Sequence, residues 1–168
     1  MTTPWTTDGG IHNIPLPIST GALWLCGKHY IAPRVEEVRA ATGNSIVVCL
    51  TERHELQDRY DGYIEWLEHN QDAFAWWRPI HDLNAPSIDT AMSLFTDIAR
   101  ELNKGQSLVV HCAAGIGRAG TTAVGVLMIL GMTEDESVAH VRAHRPMAGP
   151  EAGPQHDLIR ELSARLSR

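Results

Sequence analysis

Apolar residues recur along the chain with two different spacings. One spacing is typical of strands and the other of helices, and the two kinds of segment alternate. Residues 46–50 (IVVCL) are apolar and mostly β-branched, which is typical of a strand buried on both faces. Shorter apolar runs at residues 22–26 and 108–110 predict two more strands, and residues 75–80 predict a fourth. Residues 1–20 contain three prolines and two glycines, so we expect an irregular N-terminal lead-in there.

Between the strand-like runs, apolar positions recur with helical spacing. Residues 34–41 predict a helix that ends at Gly43, and the charged and aromatic stretch at residues 52–70 is also predicted to be helical. Ser87 is a predicted N-cap, and the apolar residues that follow it share one helical face up to Gly105.

The C-terminal third of the chain predicts three more helices. Residues 118–130 are apolar nearly all round, which indicates a buried helix. Thr133 and Glu136 have the spacing of a capping box for the next helix, and a last helix follows. Strands that alternate with helices predict an α/β fold: a single domain at residues 21–168 with a mostly parallel central sheet and helices on both faces.

Composition and charge narrow the class of protein. The chain of 168 residues suits one domain, and its net charge of −6 argues against a nucleic-acid binder, which would carry a basic face. The three cysteines (Cys26, Cys49 and Cys112) are an odd, low number that fits free thiols in a reducing compartment. No signal-peptide pattern or membrane-span-length stretch is found. We therefore expect a cytoplasmic monomer.

One segment, residues 108–121 (LVVHCAAGIGRAGT), carries the chemistry. A buried strand ends at Cys112, a loop of small residues follows, and a helix begins at about Arg118. Inward-turned loop amides and a helix N-terminus form a cradle for an anion, and the arginine fork matches two phosphate oxygens. The same positive field is expected to lower the pKa of the Cys112 thiol, and the thiolate can then attack phosphorus.

The residues around the cysteine have supporting roles. Five residues separate Cys112 from Arg118, so a curled loop can aim both side chains at one anion. His111 is expected to fix the cysteine and the loop by hydrogen bonding rather than to act as a base. The cradle is expected to be formed by the backbone amides of Ala113, Ala114, Gly115, Ile116, Gly117 and Arg118.

The segment HCAAGIGRAGT resembles the signature loop of the protein tyrosine phosphatase superfamily, in which His-Cys is followed by five residues and Arg. The order of elements and the small size resemble its dual-specificity and kinase-associated branches, over residues 46–166. The resemblance implies a metal-independent phosphatase, without a cofactor, that works through a thiophosphate on Cys112.

The resemblance also implies a general acid on a loop upstream of the cysteine. In residues 78–86 (RPIHDLNAP) the candidate is Asp82, whose pKa should be raised by burial or by the thiolate so that it can donate a proton. A turn or capping role for Asp82 is the alternative, and Asp89 is a rival acid at the start of the next helix. Gln155 either orients the hydrolytic water, as a glutamine often does in this family, or only begins a helix.

One departure from the family pattern and one pair of arginines carry expectations of their own. The family usually has Ser or Thr after the arginine, where its hydroxyl helps the thiolate to leave, but this chain has Ala119. We therefore expect slow breakdown of the phosphoenzyme unless Thr121 or Thr122 compensates. Arg142 and Arg145 could support the loop or lie on the surface, and we favour the surface.

The remaining signals concern metals and substrates. His140 and His144 have metal-ligand spacing on a predicted helix, but no third ligand is evident, so we expect a solvated pair and no metal site. The loop is neutral apart from Arg118, whereas related inositol-lipid phosphatases tend to carry lysines there. A phosphorylated protein is therefore the favoured substrate, with phosphotyrosine ahead of phosphoserine and phosphothreonine. A phosphoinositide phosphatase, a non-catalytic phosphate-binding module and a sulfur-transfer enzyme are the alternatives.

Overall fold

Five short strands form one central sheet in the computed structural model, which describes residues 7–167. In space the order is β1-β2-β5-β3-β4, and neighbours run parallel except for β1, which is antiparallel to β2. In chain order the strands are β1 (Ile11–Ile14), β2 (Ala22–Gly27), β3 (Ile46–Cys49), β4 (Ala75–Trp77) and β5 (Ser107–Cys112).

Helices cover both faces of this sheet, so the predicted α/β class is confirmed. Two 3₁₀ turns, Ala32–Arg34 and Arg53–Glu55, lie among the helices. In chain order the α-helices are α1 (Lys28–Ile31), α2 (Val35–Ala41), α3 (Asp61–His69), α4 (Ile88–Asn103), α5 (Gly117–Ile129), α6 (Glu134–His144) and α7 (Gly153–Leu166).

The alternation of side chains along the central strands divides the core in two. Val48 and Val110 pack with helices α4 to α7 on one face, whereas Val47 and Val109 pack with α2 and α3 on the other. Because both faces are covered, β3 is apolar throughout and β5 is apolar at residues 108–110. Helix α5 is buried along almost its whole length, as its sequence predicts, and it contacts β5, α4, α6 and α7.

Local capping signals are reproduced. The Ser87 hydroxyl accepts a hydrogen bond from the Thr90 amide (3.3 Å), and Thr133 and Glu136 form both bonds of a capping box. Gly105 follows α4 with φ of 90°, a conformation that favours glycine. Within residues 7–167, no helix has the length and apolar character needed to cross a bilayer.

Two predictions of secondary structure are wrong. The N-terminal lead-in is not irregular throughout, because Ile11–Ile14 forms edge strand β1, and Pro15 and Pro17 follow the strand rather than interrupt it. Residues 1–6 of that predicted lead-in lie outside the described residues. The stretch 52–70 is not one helix: it contains the turn Arg53–Glu55, and α3 begins only at Asp61. Asp58 interrupts it with φ of 70°, which no helix accepts.

Candidate active site

Cys112 lies at the carboxyl end of β5, between the ends of β2 and β3. Gly27 and Cys112 are register partners, and so are Cys49 and His111, so this edge of the sheet is where three strands finish together. The Cys112 side chain is buried, with 3% exposed, and its sulfur accepts a hydrogen bond from the Ala119 amide at 3.5 Å. An amide in the first turn of α5 therefore points at the sulfur.

Residues 113–118, here called the phosphate loop, turn their carbonyl groups into the protein. The Lys28 amide donates to the Ala113 carbonyl and the Gly149 amide to the Ile116 carbonyl, each at 3.0 Å. Among residues 7–167, no protein acceptor pairs with the backbone N–H groups of the phosphate loop. Because unpaired amides in a tight loop need a partner, this loop has the character of an anion cradle.

Gly115 makes the close packing of this loop possible. Its φ is 72°, and a Cβ atom there would collide with the carbonyl group of Cys26 on strand β2. Any other residue would combine backbone strain with a clash, so the loop can pass this close to β2 only with glycine at this position.

Arg118 is held in place by Glu55. The Nη1 and Nη2 atoms of Arg118 each donate to one carboxylate oxygen of Glu55 at 2.8 Å, and Nη1 also donates to the Ile80 carbonyl. Burial works to raise the pKa of Glu55, but hydrogen bonds from Arg118 outweigh it and hold the pKa below its usual value. The pair fixes the plane of the guanidinium. No described residue accepts from its Nε, so this N–H is available to a phosphate oxygen.

Asp82 lies in residues 78–86, here called the acid loop, between β4 and α4. Its Oδ1 atom is 3.3 Å from Nη2 of Arg118 and accepts a hydrogen bond from the Leu83 amide. Of the two conditions expected for this acid, burial or a nearby thiolate, burial is wrong, because 61% of its side chain is exposed. The rival Asp89 instead pairs with Arg165 on α7 at 3.0 Å, so Asp82 is the aspartate that the fold brings to Arg118.

His111 is fully buried behind the phosphate loop. Its Nδ1 atom lies 3.2 Å from the Cys112 carbonyl and its Nε2 atom 2.6 Å from the Tyr63 hydroxyl. A neutral ring that donates from Nδ1 and accepts at Nε2 satisfies both contacts. Burial lowers the pKa of His111 to about 4, so the ring stays neutral at pH 7. This arrangement suits a residue that positions the backbone of the cysteine.

Gln155 is buried at the start of α7 and uses both ends of its amide. Its oxygen accepts from the Glu151 amide (2.9 Å), and its nitrogen donates to the Asn84 carbonyl in the acid loop (3.3 Å). The residue thus begins a helix and also ties α7 to the acid loop. Its role toward a hydrolytic water stays a prediction.

Arg145 is a loop-supporting residue, and our preference for a surface position is wrong. The side chain is fully buried, and it donates to the carbonyl groups of Ala114 and Gly115 at 2.9 Å each. It also contacts Nδ1 of His12 on β1 at 2.5 Å. Arg142 is exposed, as expected. The sequence signal was weak because RAHRP contains two arginines at the end of a polar helix, and only the fold distinguishes them.

Glu55 is a second functional residue that the sequence reasoning missed. It forms a capping box with Glu52, since the Glu52 amide donates to Oε2 of Glu55 at 2.8 Å. The Glu-x-x-Glu pattern just after strand β3 was the available signal. The helix predicted for residues 52–70 includes Glu55 and therefore does not place its carboxylate beside Arg118.

The hydroxyl groups near Ala119 are not arranged to replace the missing serine or threonine. The Thr122 hydroxyl donates to the Arg118 carbonyl at 2.9 Å. The Thr121 hydroxyl is buried and has no hydrogen-bond partner among the residues that the structure describes. Neither contacts the sulfur of Cys112 by a hydrogen bond in the described part of the chain.

The site thus combines a buried cysteine at the end of a central parallel strand, a loop of unpaired amides and a carboxylate-held arginine. This is the combination expected of a phosphatase-type site. Residues 31–165 match the family described as PTP-SAK: Swiss Army Knife protein, DSP-PTPase phosphatase domain. The chain belongs to this family, and the match begins earlier than the similarity from residue 46 that the motifs indicated.

Individual relatives agree with this assignment. Over 80 residues the chain is 37% identical to Dual specificity protein phosphatase 1 of Arabidopsis thaliana, covering 44% of this chain and 38% of that protein. The chain thus matches well under half the length of this relative. Among solved structures, Tk-PTP in the active form superposes with a TM-score of 0.69 at 26% identity, over 91% of this chain and 97% of that chain.

Two more distant structures share the fold. Kinase associated phosphatase, with serine in place of its catalytic site cysteine, has a TM-score of 0.71 at 18% identity, over 91% of this chain and 97% of that chain. Human tyrosine phosphatase-like serine/threonine/tyrosine-interacting protein has a TM-score of 0.70 at 20% identity, over 94% and 98%.

Proposed function

We propose that the protein hydrolyses phosphate monoesters on phosphoproteins through a covalent thiophosphate on Cys112, with phosphotyrosine the preferred substrate. The observation that carries the proposal is the phosphate loop, whose amides are unpaired while its carbonyl groups are fixed, with Cys112 at one end and Arg118 at the other. Fixed donors of this kind stabilise the charge on a phosphoryl group in the transition state.

The chemistry takes two steps. In the first, the Cys112 thiolate attacks phosphorus, the S–P bond forms as the bond to the leaving oxygen breaks, and Asp82 gives its proton to that oxygen. In the second, water attacks phosphorus, the Asp82 carboxylate takes a proton from this water, and the S–P bond breaks to release inorganic phosphate and the thiolate. Arg118 and the loop amides hold the phosphoryl oxygens throughout.

Charge around the loop supports a phosphopeptide over a phosphoinositide. The Glu151 carboxylate packs directly against Gly117, so it sits beside the bound phosphoryl group in this proposal. The side chains of Ala113, Ala114 and Ile116 are uncharged. A head group with several phosphates would be repelled by this carboxylate and would meet no lysine within the phosphate loop, whereas a peptide brings one phosphate.

The exposed position of Asp82 supports phosphotyrosine ahead of phosphoserine and phosphothreonine. An aryl oxygen is a better leaving group than an alkyl oxygen and therefore depends less on a well-placed acid. An acid that is 61% exposed, on a loop at the surface, penalises alkyl esters most.

The test compares the turnover numbers of wild type and Cys112→Ser on three substrates. These are an aryl phosphate and one peptide prepared in two forms, with phosphotyrosine or with phosphoserine. We expect Cys112→Ser to lower turnover on the order of 10⁴-fold or more, while phosphate binding survives. Cys49→Ser is the matched control: burial raises the pKa of the Cys49 thiol to about 11, so it stays neutral, and its sulfur already contacts the Thr51 hydroxyl.

The same assays separate the alternatives. Faster turnover of a phosphoinositide than of the phosphotyrosine peptide would favour the lipid-type substrate. Binding of phosphate by wild type without turnover would indicate a non-catalytic module, and consumption of thiosulfate would indicate sulfur transfer. Activity of Cys112→Ser within a few-fold of wild type would contradict the nucleophile assignment.

A further inference from the structure

Glu52, His54 and His81 form a cluster of metal-ligating side chains beside the active site. The Oε2 atom of Glu52 lies 2.7 Å from Nε2 of His54 and 3.0 Å from Nδ1 of His81. One ligand atom from each residue lies within 4.8 Å of the other two. From this geometry we infer that the cluster binds one divalent transition-metal ion of the zinc type.

The donor set fits zinc chemistry. Two imidazole nitrogens and one carboxylate oxygen are a known three-ligand set for zinc at bond lengths of about 2.0–2.2 Å, with water as the fourth ligand. Tetrahedral bonds of that length separate ligand atoms by about 3.4 Å, so the two separations from Glu52 need to open by less than about 1 Å. Imidazole donors disfavour magnesium and calcium, which prefer oxygen ligands.

The cluster is accessible from solvent. Both histidines are exposed, and Glu52 is half-buried at the edge of a depression of about 440 Å³ lined also by Trp77 and Pro79. Sequence reasoning expected no metal site because it considered the pair at positions 140 and 144. Here the first two ligands are close in sequence, but His81 reaches them only because β3 and β4 end side by side.

A simpler explanation of the same contacts is a surface network of ion pairs, which contributes little to stability. The two explanations differ in one measurable respect. A network of hydrogen bonds has no preference for a transition metal, whereas a zinc-type site takes up one ion per chain and loses it when either imidazole is removed.

The position of the cluster means that a bound ion would connect two segments of the active site. Glu52 caps the turn that contains Glu55, and Glu55 accepts hydrogen bonds from Arg118. His81 directly precedes Asp82 in the acid loop. A bound ion therefore cross-links the turn that holds the arginine to the loop that carries the acid. Its effect on catalysis rests on the proposed function: by restraining Asp82, the ion slows turnover of poor leaving groups.

Binding is tested on Cys112→Ser protein, so that a thiolate cannot hold the metal. Cobalt(II) serves as the coloured probe, and zinc is then added in competition. We expect one equivalent of cobalt with the visible spectrum of a tetrahedral nitrogen and oxygen site, and displacement of the colour by zinc.

His54→Ala and His81→Ala, each in the same background, should weaken binding by at least about tenfold, since even outer-shell partners of a metal are worth about 10- to 100-fold. Because both histidines are exposed, alanine at these positions removes no core contact. The double variant His140→Ala/His144→Ala is the matched control, because it removes two neighbouring imidazoles from α6 and should keep full binding.

Failure to bind one equivalent, equal binding after removal of His54 or His81, or loss of binding in the control would each overturn the site. Turnover of an alkyl phosphate by the wild type is measured separately with zinc and with EDTA. Zinc should slow this turnover in the wild type and should slow it less in His81→Ala. Since binding is measured on catalytically disabled protein, its failure leaves the proposed function intact, and failure of the proposed function leaves the binding result intact.

Discussion

The phosphate loop and the acid loop face the same site but are held very differently. The carbonyl groups of the phosphate loop accept hydrogen bonds from Lys28, Arg145 and Gly149. Gly115 of this loop packs against the backbone of β2. In the acid loop, residues 81–84 are all exposed, and Leu83 adopts a φ of 64°. Hydrogen bonds from Arg118 to the Ile80 carbonyl and from Gln155 to the Asn84 carbonyl hold it at its two sides.

This difference indicates that the fold fixes the groups that would bind the phosphoryl group more firmly than the group that would donate the proton. Donors that recognise a phosphoryl group act best when they are fixed before the substrate arrives, because no reorganisation is then needed during the reaction. A proton donor has to meet leaving groups of different shape, and a lightly held loop allows that. The predictions below separate the two regions by asking whether a change affects all substrates or only some.

Among the changes that affect one loop's role and spare the nucleophile, the largest effect is expected from Asp82→Asn. General acid catalysis is typically worth about 10²- to 10⁴-fold, so the variant should lose that much on an alkyl phosphate and far less on an activated aryl phosphate. Cys112→Ser should instead abolish turnover of both. Initial rates on a series of phosphate esters of increasing leaving-group pKa check this, and the slope against leaving-group pKa should become steeper in Asp82→Asn.

Asp89→Asn is the matched control for that series, because Asp89 pairs with Arg165 and not with the arginine of the phosphate loop. Its slope should equal that of wild type. An equal loss on every ester in Asp82→Asn, together with a steeper slope in Asp89→Asn, would move the acid role to Asp89.

An intermediate effect is expected from the pH dependence of stability on the phosphate-loop side. Burial lowers the pKa of His111 from 6.5 to about 4, so the unfolded chain takes up a proton near pH 6.5 while the folded protein does not. The free energy of unfolding should therefore fall as pH drops from about 6.5 to 4, by about 3 kcal/mol in total. Urea unfolding at a series of pH values measures this loss.

His111→Asn isolates the contribution. The variant should be less stable at pH 7, yet its stability should change less between pH 6.5 and 4.5. The exposed His156→Asn should keep the wild-type slope. Glu55 adds a loss of its own only below its ordinary value of 4.5, because its pKa is lowered in the fold, so the comparison is made above that pH. Identical slopes in wild type and His111→Asn would show that the buried ring does not set the dependence.

The contrast between the loops also explains what sequence could and could not predict. The strand, the small-residue loop and helix α5 follow one another in the chain, so local spacing was enough to place Cys112 and Arg118 together. The α/β order of elements and the caps at Ser87 and Thr133 were likewise local. The sequence did not predict contacts between residues that are far apart in the chain and close in the fold.

Arg145 and Glu55 are the clearest examples of such residues. Arg145 is distant in sequence from the loop carbonyl groups it binds, and Glu55 reaches Arg118 only because β3 and β5 are neighbours in the sheet. The expected burial of Asp82 failed for the same reason. A sequence identifies an aspartate before a helix, but its exposure depends on how closely other elements pack over the loop.

The smallest effect is expected from Ala119→Ser, which tests whether the phosphate loop completes the second step as well as the first. The Ala119 amide contacts the sulfur of Cys112, but alanine cannot donate a second hydrogen bond from its side chain as the thiolate leaves. A hydrogen bond to a charged group is worth about 1.5–3 kcal/mol, or about 10- to 100-fold in rate if fully expressed. Wild type should therefore show a burst of product before a slow steady state, and Ala119→Ser a higher kcat.

Rapid-quench kinetics on an aryl phosphate distinguish this from a general change in the site. The value of kcat/KM should change little, since it reports the steps up to release of the leaving group. Thr121→Val is the control: its hydroxyl is buried without a partner in residues 7–167, and its removal should leave both burst and steady state unchanged. If wild type shows no burst and Thr121→Val is slower, the Thr121 hydroxyl supplies the donor. In that case the fixed loop serves both steps of the reaction despite the alanine.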